Sequence, residues 1–111
     1  MTARFLGQLV VCLCLAAPAA LAMDSPSSAE NDSVMIKNFA FAPVTLHVRT
    51  GATVIWKNLD GEPHTVVSDS GAFRSGALDE GDAFQFTFDK PGTYQFFCSV
   101  HPHMRGTIVV E

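Results

Sequence analysis

The chain has 111 residues, of which 48% are hydrophobic, and its formal net charge is −4 at pH 7. This length suits one compact domain and excludes an assembly of several domains within the chain. The excess of acidic over basic residues disfavours nucleic acid as a partner.

The first 22 residues have the pattern of a secretory signal peptide. Arg4 gives a basic start, an apolar run covers Leu9–Ala17, and Ala20-Leu21-Ala22 is a small-x-small cleavage site. The apolar run is too short to span a bilayer, so we expect export to the periplasm and no stable membrane insertion. An uncleaved anchor and a lipoprotein are the alternatives, the latter because Cys12 and Cys14 lie in the run, although neither follows lipobox-like small residues.

Residues 23–32 (MDSPSSAEND) are polar and lack apolar periodicity, which predicts a flexible leader before a domain at 33–111. The domain consists of short β-favouring runs separated by Gly, Pro, Asn and Asp, a spacing typical of an all-β sandwich or barrel. No segment after the signal has helical periodicity. The predicted strands are Val34–Phe39, Val44–Arg49, Thr53–Lys57, Thr65–Ser68, Phe84–Phe88, Thr93–Phe97 and Thr107–Val110.

Cleavage of the signal would leave Cys98 as the only thiol, so no intramolecular disulfide could form. An unpaired cysteine in an oxidising compartment is buried and inert, reactive, or bound to a metal. Its neighbours favour a metal, because His101 and Met104 follow at +3 and +6, and His64 lies upstream.

A thiolate, two imidazoles and a thioether are the ligands of a mononuclear blue-copper electron-transfer site. A thioether binds hard cations too weakly for calcium or magnesium. Structural zinc sites use four strong N/S ligands, and catalytic zinc sites keep a position open for water. The predicted copper ligands are therefore His64, Cys98, His101 and Met104.

Other residues compete for roles in or near this site. His103 could replace His101, but it directly precedes Met104 and leaves little chain to turn. His47 falls on the polar face of its strand, where a solvated role is favoured, and Met35 suits ordinary apolar packing.

Two acidic clusters, Asp60 with Glu62 and Asp79-Glu80 with Asp82, border glycines. They could steer a basic redox partner, but solvated turn residues are the favoured interpretation.

Residues 36–111 resemble the cupredoxins, and within them the plastocyanin, pseudoazurin and amicyanin group. The matching segments are Gly51–Asn58, Asp60 followed by Pro63–Val66, Pro91–Cys98 and Met104–Val110. The two-residue spacings between Cys98 and His101 and between His101 and Met104 are most similar to those of amicyanin.

The resemblance implies a Greek-key β-sandwich of about seven to eight strands that holds one copper ion. Cys98 would be the strong equatorial thiolate, His64 and His101 would complete a trigonal plane, and Met104 would be the weak axial ligand. The Thr65 N–H would donate to the thiolate, and Asn58 would organise the loop.

The His101 ring would reach the surface beside an apolar docking patch. Candidates for that patch are Met35, Pro43, Pro63, Phe73 and Pro102.

The principal hypothesis is a soluble, exported carrier of single electrons that is not an enzyme and is a monomer. The resemblance names an amine dehydrogenase and a c-type cytochrome as candidate redox partners. One alternative is a periplasmic protein for copper storage, delivery or resistance. A small hydrolase with Cys98 as nucleophile is a further alternative, but it lacks an evident oxyanion-hole motif and leaves Met104 unexplained.

Overall fold

The computed structural model describes residues 31–111, which form a sandwich of two four-stranded β-sheets. The strands are β1 (Asn31–Lys37), β2 (Ala40–Ala42), β3 (Thr45–Val48), β4 (Thr53–Asn58), β5 (Val67–Ser68), β6 (Ala83–Thr87), β7 (Gly92–Phe97) and β8 (Arg105–Val110). One sheet has the order β2-β1-β4-β6 and the other has the order β3-β8-β7-β5. The predicted all-β sandwich is confirmed. None of the described residues forms a helix that is long and apolar enough to cross a membrane.

The core lies between the sheets and is built from alternate residues of their strands. In β4, Val54 and Trp56 are buried while Lys57 is exposed, as the two-residue period of a strand requires. The Trp56 ring packs against four phenylalanine rings at centroid distances of 5.3 to 6.4 Å, those of Phe73, Phe84, Phe88 and Phe96. This aromatic cluster forms part of the core between the sheets.

The pairing of the strands brings several loops to one end of the sandwich. β1 runs parallel to β4, from Asn31 opposite Thr53 to Ile36 opposite Asn58, so both strands end there. β5 is antiparallel to β7, so the segment that enters β5 lies beside the segment that leaves β7. His64 precedes β5 and Cys98 follows β7, which places both at this end.

The structure differs from the predicted strands at the end of β1. The predicted strand Val34–Phe39 was wrong at its C-terminal end, because the strand ends at Lys37 and the chain turns back into β2. Asn38 and Phe39 form this two-residue turn with φ of 56° and 57°. A bulky aromatic residue is not typical of the left-handed region, so local sequence preference did not indicate the turn.

The N-terminal predictions fall mostly outside the described residues. This holds for the signal peptide at 1–22 and for residues 23–30 of the leader. β1 begins at Asn31, two residues before the predicted domain boundary, because Asn31 and Asp32 continue the pairing with β4.

We predict that Gly106→Ala destabilises the fold, because the added Cβ would lie 2.9 Å from Cε2 of the buried Phe96 ring. Overpacking of this kind costs about 1–3 kcal/mol of unfolding free energy. Denaturant unfolding of the copper-free protein measures the change. Gly76→Ala is the matched control, since Gly76 is exposed and its added Cβ would meet no atom within 4 Å. An equal effect of the two substitutions would contradict the packing explanation.

Candidate metal centre

Two loops bring three metal-binding side chains together at the end of the sandwich. The donor atoms of His64, Cys98 and His101 all lie within 4.8 Å of one another. Nδ1 of each imidazole is 3.8 Å from the Cys98 Sγ. A divalent metal in a trigonal plane, about 2.0 Å from nitrogen and about 2.3 Å from sulfur, requires N···S separations of about 3.7 Å. The spacing of the donors therefore fits one such ion.

The loop from Cys98 to Met104 is shaped by its own backbone hydrogen bonds. The His101 N–H donates to the Cys98 carbonyl at 3.2 Å, and the Met104 N–H donates to the His101 carbonyl at 2.8 Å. The Cys98 N–H donates to the Met104 carbonyl at 3.1 Å, which closes the loop. The short spacing in the sequence thus gives two successive turns, with Met104 buried and His101 half-buried.

The structure distinguishes among the other candidates raised by the sequence. His103 is exposed, and the described donor cluster contains His101 in its place. His47 is exposed on β3, with its Nδ1 3.8 Å from a carboxylate oxygen of Glu111. Met35 is exposed on β1.

The Cys98 sulfur receives a backbone hydrogen bond, as predicted. The Thr65 N–H donates to Sγ at 3.4 Å, and the Thr65 hydroxyl oxygen lies 3.8 Å from Sγ. That hydroxyl oxygen also accepts the Ser99 N–H at 2.8 Å, and it is 2.8 Å from the Ser99 hydroxyl oxygen. Thr65 therefore links the two loops of the site.

Hydrogen bonding also sets the charge state of Cys98. Burial raises the pKa of the thiol, but the Thr65 N–H and the two imidazoles outweigh burial and lower the pKa to about 6. Metal binds the thiolate rather than the thiol, so the copper-free site favours the form that accepts a metal at neutral pH.

Asn58 organises the loop that carries His64, as predicted. Its fully buried amide donates to the carbonyls of Glu62 and Leu78, both at 2.8 Å. Its carbonyl oxygen accepts the Asp60 N–H at 2.9 Å. Leu78 in turn exchanges two backbone hydrogen bonds with His64, at 2.7 and 3.1 Å. The position of His64 is thereby tied to the end of β4.

Asp60 belongs to the site, so its favoured interpretation as a solvated turn residue was wrong. Its side chain is only 11% exposed, and one carboxylate oxygen is 2.9 Å from His64 Nε2. Burial raises the pKa of Asp60, but hydrogen bonds from the Phe39 and Asn38 N–H groups and from His64 lower it overall. Because Nε2 is directed at Asp60, His64 presents Nδ1 toward the sulfur, and Nδ1 is the atom through which it would bind a metal.

Phe39 is the second site residue that the sequence did not indicate. Its ring lies edge-on to His64 and to His101, at centroid distances of 5.3 and 5.1 Å. Phe73, a candidate for the docking patch, is instead buried in the core beside Trp56, so that assignment was wrong. The apolar appearance of a phenylalanine does not reveal which side of a sandwich it faces.

Known proteins are similar to this chain in sequence and in fold. The family model for the cupredoxin-like domain matches residues 6–110. The chain belongs to the cupredoxin-like family. It is 34% identical to an amicyanin of Paracoccus denitrificans over 107 residues, which cover 87% of this chain and 82% of that protein. It is 36% identical to a plastocyanin of Scenedesmus fuscus over 84 residues, which cover 64% of this chain and 86% of that protein.

The fold is also similar to those of solved cupredoxin structures. A Cu(I) structure of an amicyanin variant superposes with a TM-score of 0.69 at 33% identity, covering 72% of this chain and 81% of the other. A purple cupredoxin from Nitrosopumilus maritimus superposes with a TM-score of 0.67 at 30% identity, covering 72% of this chain and 99% of the other. The chain is thus a cupredoxin most like amicyanin. It is a blue copper electron carrier with one copper ion, not an enzyme.

We predict that Thr65→Val lowers the reduction potential while the blue colour persists. The backbone donor to Sγ remains, but the hydroxyl near the sulfur is lost, so the thiolate donates more charge to copper and Cu(II) is favoured. A hydrogen bond of about 0.5–1.5 kcal/mol corresponds to about 20–60 mV for one electron. Cyclic voltammetry measures the shift. Thr65→Ser, which retains a hydroxyl, is the control, and an unchanged potential in Thr65→Val would exclude tuning by the hydroxyl.

Proposed function

We propose that His64, Cys98, His101 and Met104 bind the copper ion and that the chain carries single electrons between redox proteins in the periplasm. The observation that carries this proposal is the placement of both imidazole Nδ1 atoms 3.8 Å from a buried thiol sulfur. When bound, copper supplies a one-electron couple between Cu(I) and Cu(II).

Hydrogen bonds restrain the loops that carry these side chains, which suits an electron carrier. Thr65 connects the two loops, Asn58 fixes the loop of His64, and backbone hydrogen bonds close the loop of His101. A site that moves little between oxidation states needs little reorganisation for each electron that it transfers. His64 and Cys98 are fully buried, so the half-buried His101 is the proposed exit for the electron.

The same burial argues against the alternative of copper storage or delivery. A protein that passes copper to a partner must let competing ligands reach the ion. Here Cys98 and His64 have no exposed surface and Met104 is 2% exposed. This burial should slow the approach of competing ligands to the copper ion, which supports the carrier hypothesis.

The proposed partners follow from the similarity to amicyanin. Amicyanin-like proteins accept electrons from amine dehydrogenases and pass them to cytochromes, so we propose an amine dehydrogenase as donor and a c-type cytochrome as acceptor. We further propose that the domain, whose first strand begins at Asn31, acts as a monomer, and that the part of the predicted leader before this strand is flexible. Val100 is 57% exposed and directly precedes His101, so it would contribute to a small, short-lived contact with the partner.

We predict an intense absorption band near ~600 nm after addition of one equivalent of Cu(II), because a Cu–thiolate bond gives this charge-transfer band. Cys98→Ala should abolish the band, and visible and EPR spectra measure it. His101→Ala should lose or strongly alter the type 1 spectrum, whereas His103→Ala, its matched control, should keep it. A colourless wild-type protein would contradict the carrier function, and a greater loss in His103→Ala would contradict the ligand assignment.

We predict that the full chain is processed on export in a Gram-negative host. The Ala20-Leu21-Ala22 site should be cut after residue 22, so the periplasmic protein should begin at Met23. Cell fractionation and intact-mass analysis measure this. Ala20→Arg with Ala22→Arg should block cleavage, and recovery of wild-type, uncut protein in the cytoplasm would contradict export.

A further inference from the structure

The turn between β1 and β2 approaches the copper site from a side that the ligand loops do not cover. Asn38 and Phe39 form the turn, and the Phe39 ring lies edge-on to both His64 and His101. These two imidazoles are themselves 5.2 Å apart between centroids. One aromatic ring thus contacts the pair from outside and remains 45% exposed.

This turn is unfavourable by itself. Both residues have positive φ, which is the geometry of a type I′ hairpin turn. Asn-Gly is the preferred pair for such a turn, and a phenylalanine in the left-handed region is an outlier that its surroundings must hold in place.

The Asp60 carboxylate supplies the contacts that hold it. Oδ1 accepts the Asn38 N–H at 2.7 Å, and Oδ2 accepts the Phe39 N–H at 2.9 Å. Oδ2 also accepts a hydrogen bond from His64 Nε2 at 2.9 Å. One largely buried carboxylate therefore joins the turn to a proposed copper ligand.

We propose that Asp60 is a positioning residue that orients His64 and, through the Phe39 turn, also sets the surroundings of His101. The site is then built from three segments of the chain, the third being the turn at residues 38–39. Phe39 shields the imidazole pair from water and forms part of the surface that an electron crosses. This inference rests on the proposed ligand roles of His64 and His101.

The test compares Asp60→Asn with wild type by NMR, in the copper-free and Cu(I) proteins at one pH. Asparagine keeps the size of the side chain but replaces one acceptor oxygen by an NH₂ group, so the three N–H donors cannot all be satisfied. Amide hydrogen exchange at Asn38 and Phe39 should be at least about tenfold faster, as expected when a protecting hydrogen bond is lost. The His64 Nε2–H resonance should broaden or disappear.

His101 gives the decisive signal because the described contacts of its ring are with Phe39, His64 and Cys98, and not with Asp60. Phe39→Ala should shift the His101 ring-proton resonances by removing the Phe39 ring current. Asp60→Asn should shift them in the same direction, and the double variant should add little to Phe39→Ala. The matched control is Asp82→Asn. The Asp82 carboxylate accepts the Asp79 N–H in another turn, and this substitution removes the same charge as Asp60→Asn.

The proposal would be overturned if Asp60→Asn had the same amide exchange rates and His101 chemical shifts as the wild type. It would also be overturned if Asp82→Asn caused changes as large as those of Asp60→Asn. Unfolding of Asp60→Asn is checked by the dispersion of its spectrum; if it unfolds, Asp60→Glu, which retains both oxygens at a displaced position, replaces it in the same comparison. The copper-free measurements do not depend on copper chemistry. Failure of the proposed function would instead appear as the absence of a blue band that requires Cys98.

Discussion

The buried amide of Asn58 is the constraint on which the site depends. A buried polar group without partners is costly, so the chain around Asn58 must present acceptors for its NH₂ group and a donor for its oxygen. The carbonyls of Glu62 and Leu78 and the N–H of Asp60 meet this requirement. They fix the path of residues 59–64, and with it the positions of Asp60 and His64.

The opposing loop is fixed in a different way. Its three backbone hydrogen bonds are local, so its shape follows from its length and from the turn residues within it. Contact between the two loops is made by Thr65, whose backbone and side chain reach Cys98 and Ser99. A loop held by tertiary contacts thus meets a loop held by its own backbone, and the thiolate lies where they join.

The chemistry of the site and most of the strands could be predicted from the sequence, whereas contacts between distant segments could not. Cys98, His101 and Met104 lie in one short run, and their donor atoms indicate a copper site before any geometry is known. Short β-favouring runs between turn residues likewise indicate strands such as β4 and β8.

Phe39 and Asp60, by contrast, are 21 residues apart and acquire their roles only when β1 pairs with β4. The same tertiary contact ends β1 at Lys37 and produces a turn that an apolar run does not suggest. For Phe73 the error was the opposite one, because a residue predicted at the surface is buried in the core. Exposure of an aromatic side chain depends on how the sheets pack, which its local sequence does not show.

The parallel pairing of β3 with β8 has a consequence for how the protein reaches its functional state. Thr45 lies opposite Thr107, so these strands join parts of the chain separated by most of the domain. Such non-local contacts close slowly, and sandwich domains fold more slowly than helical ones for this reason. The ends of the ligand loop meet locally, because Phe97 pairs with Arg105 where β7 and β8 join. The buried surroundings of Cys98, however, are complete only when both sheets have formed and packed. During folding, Cys98 is therefore an unprotected thiol, and early copper binding would compete with its oxidation.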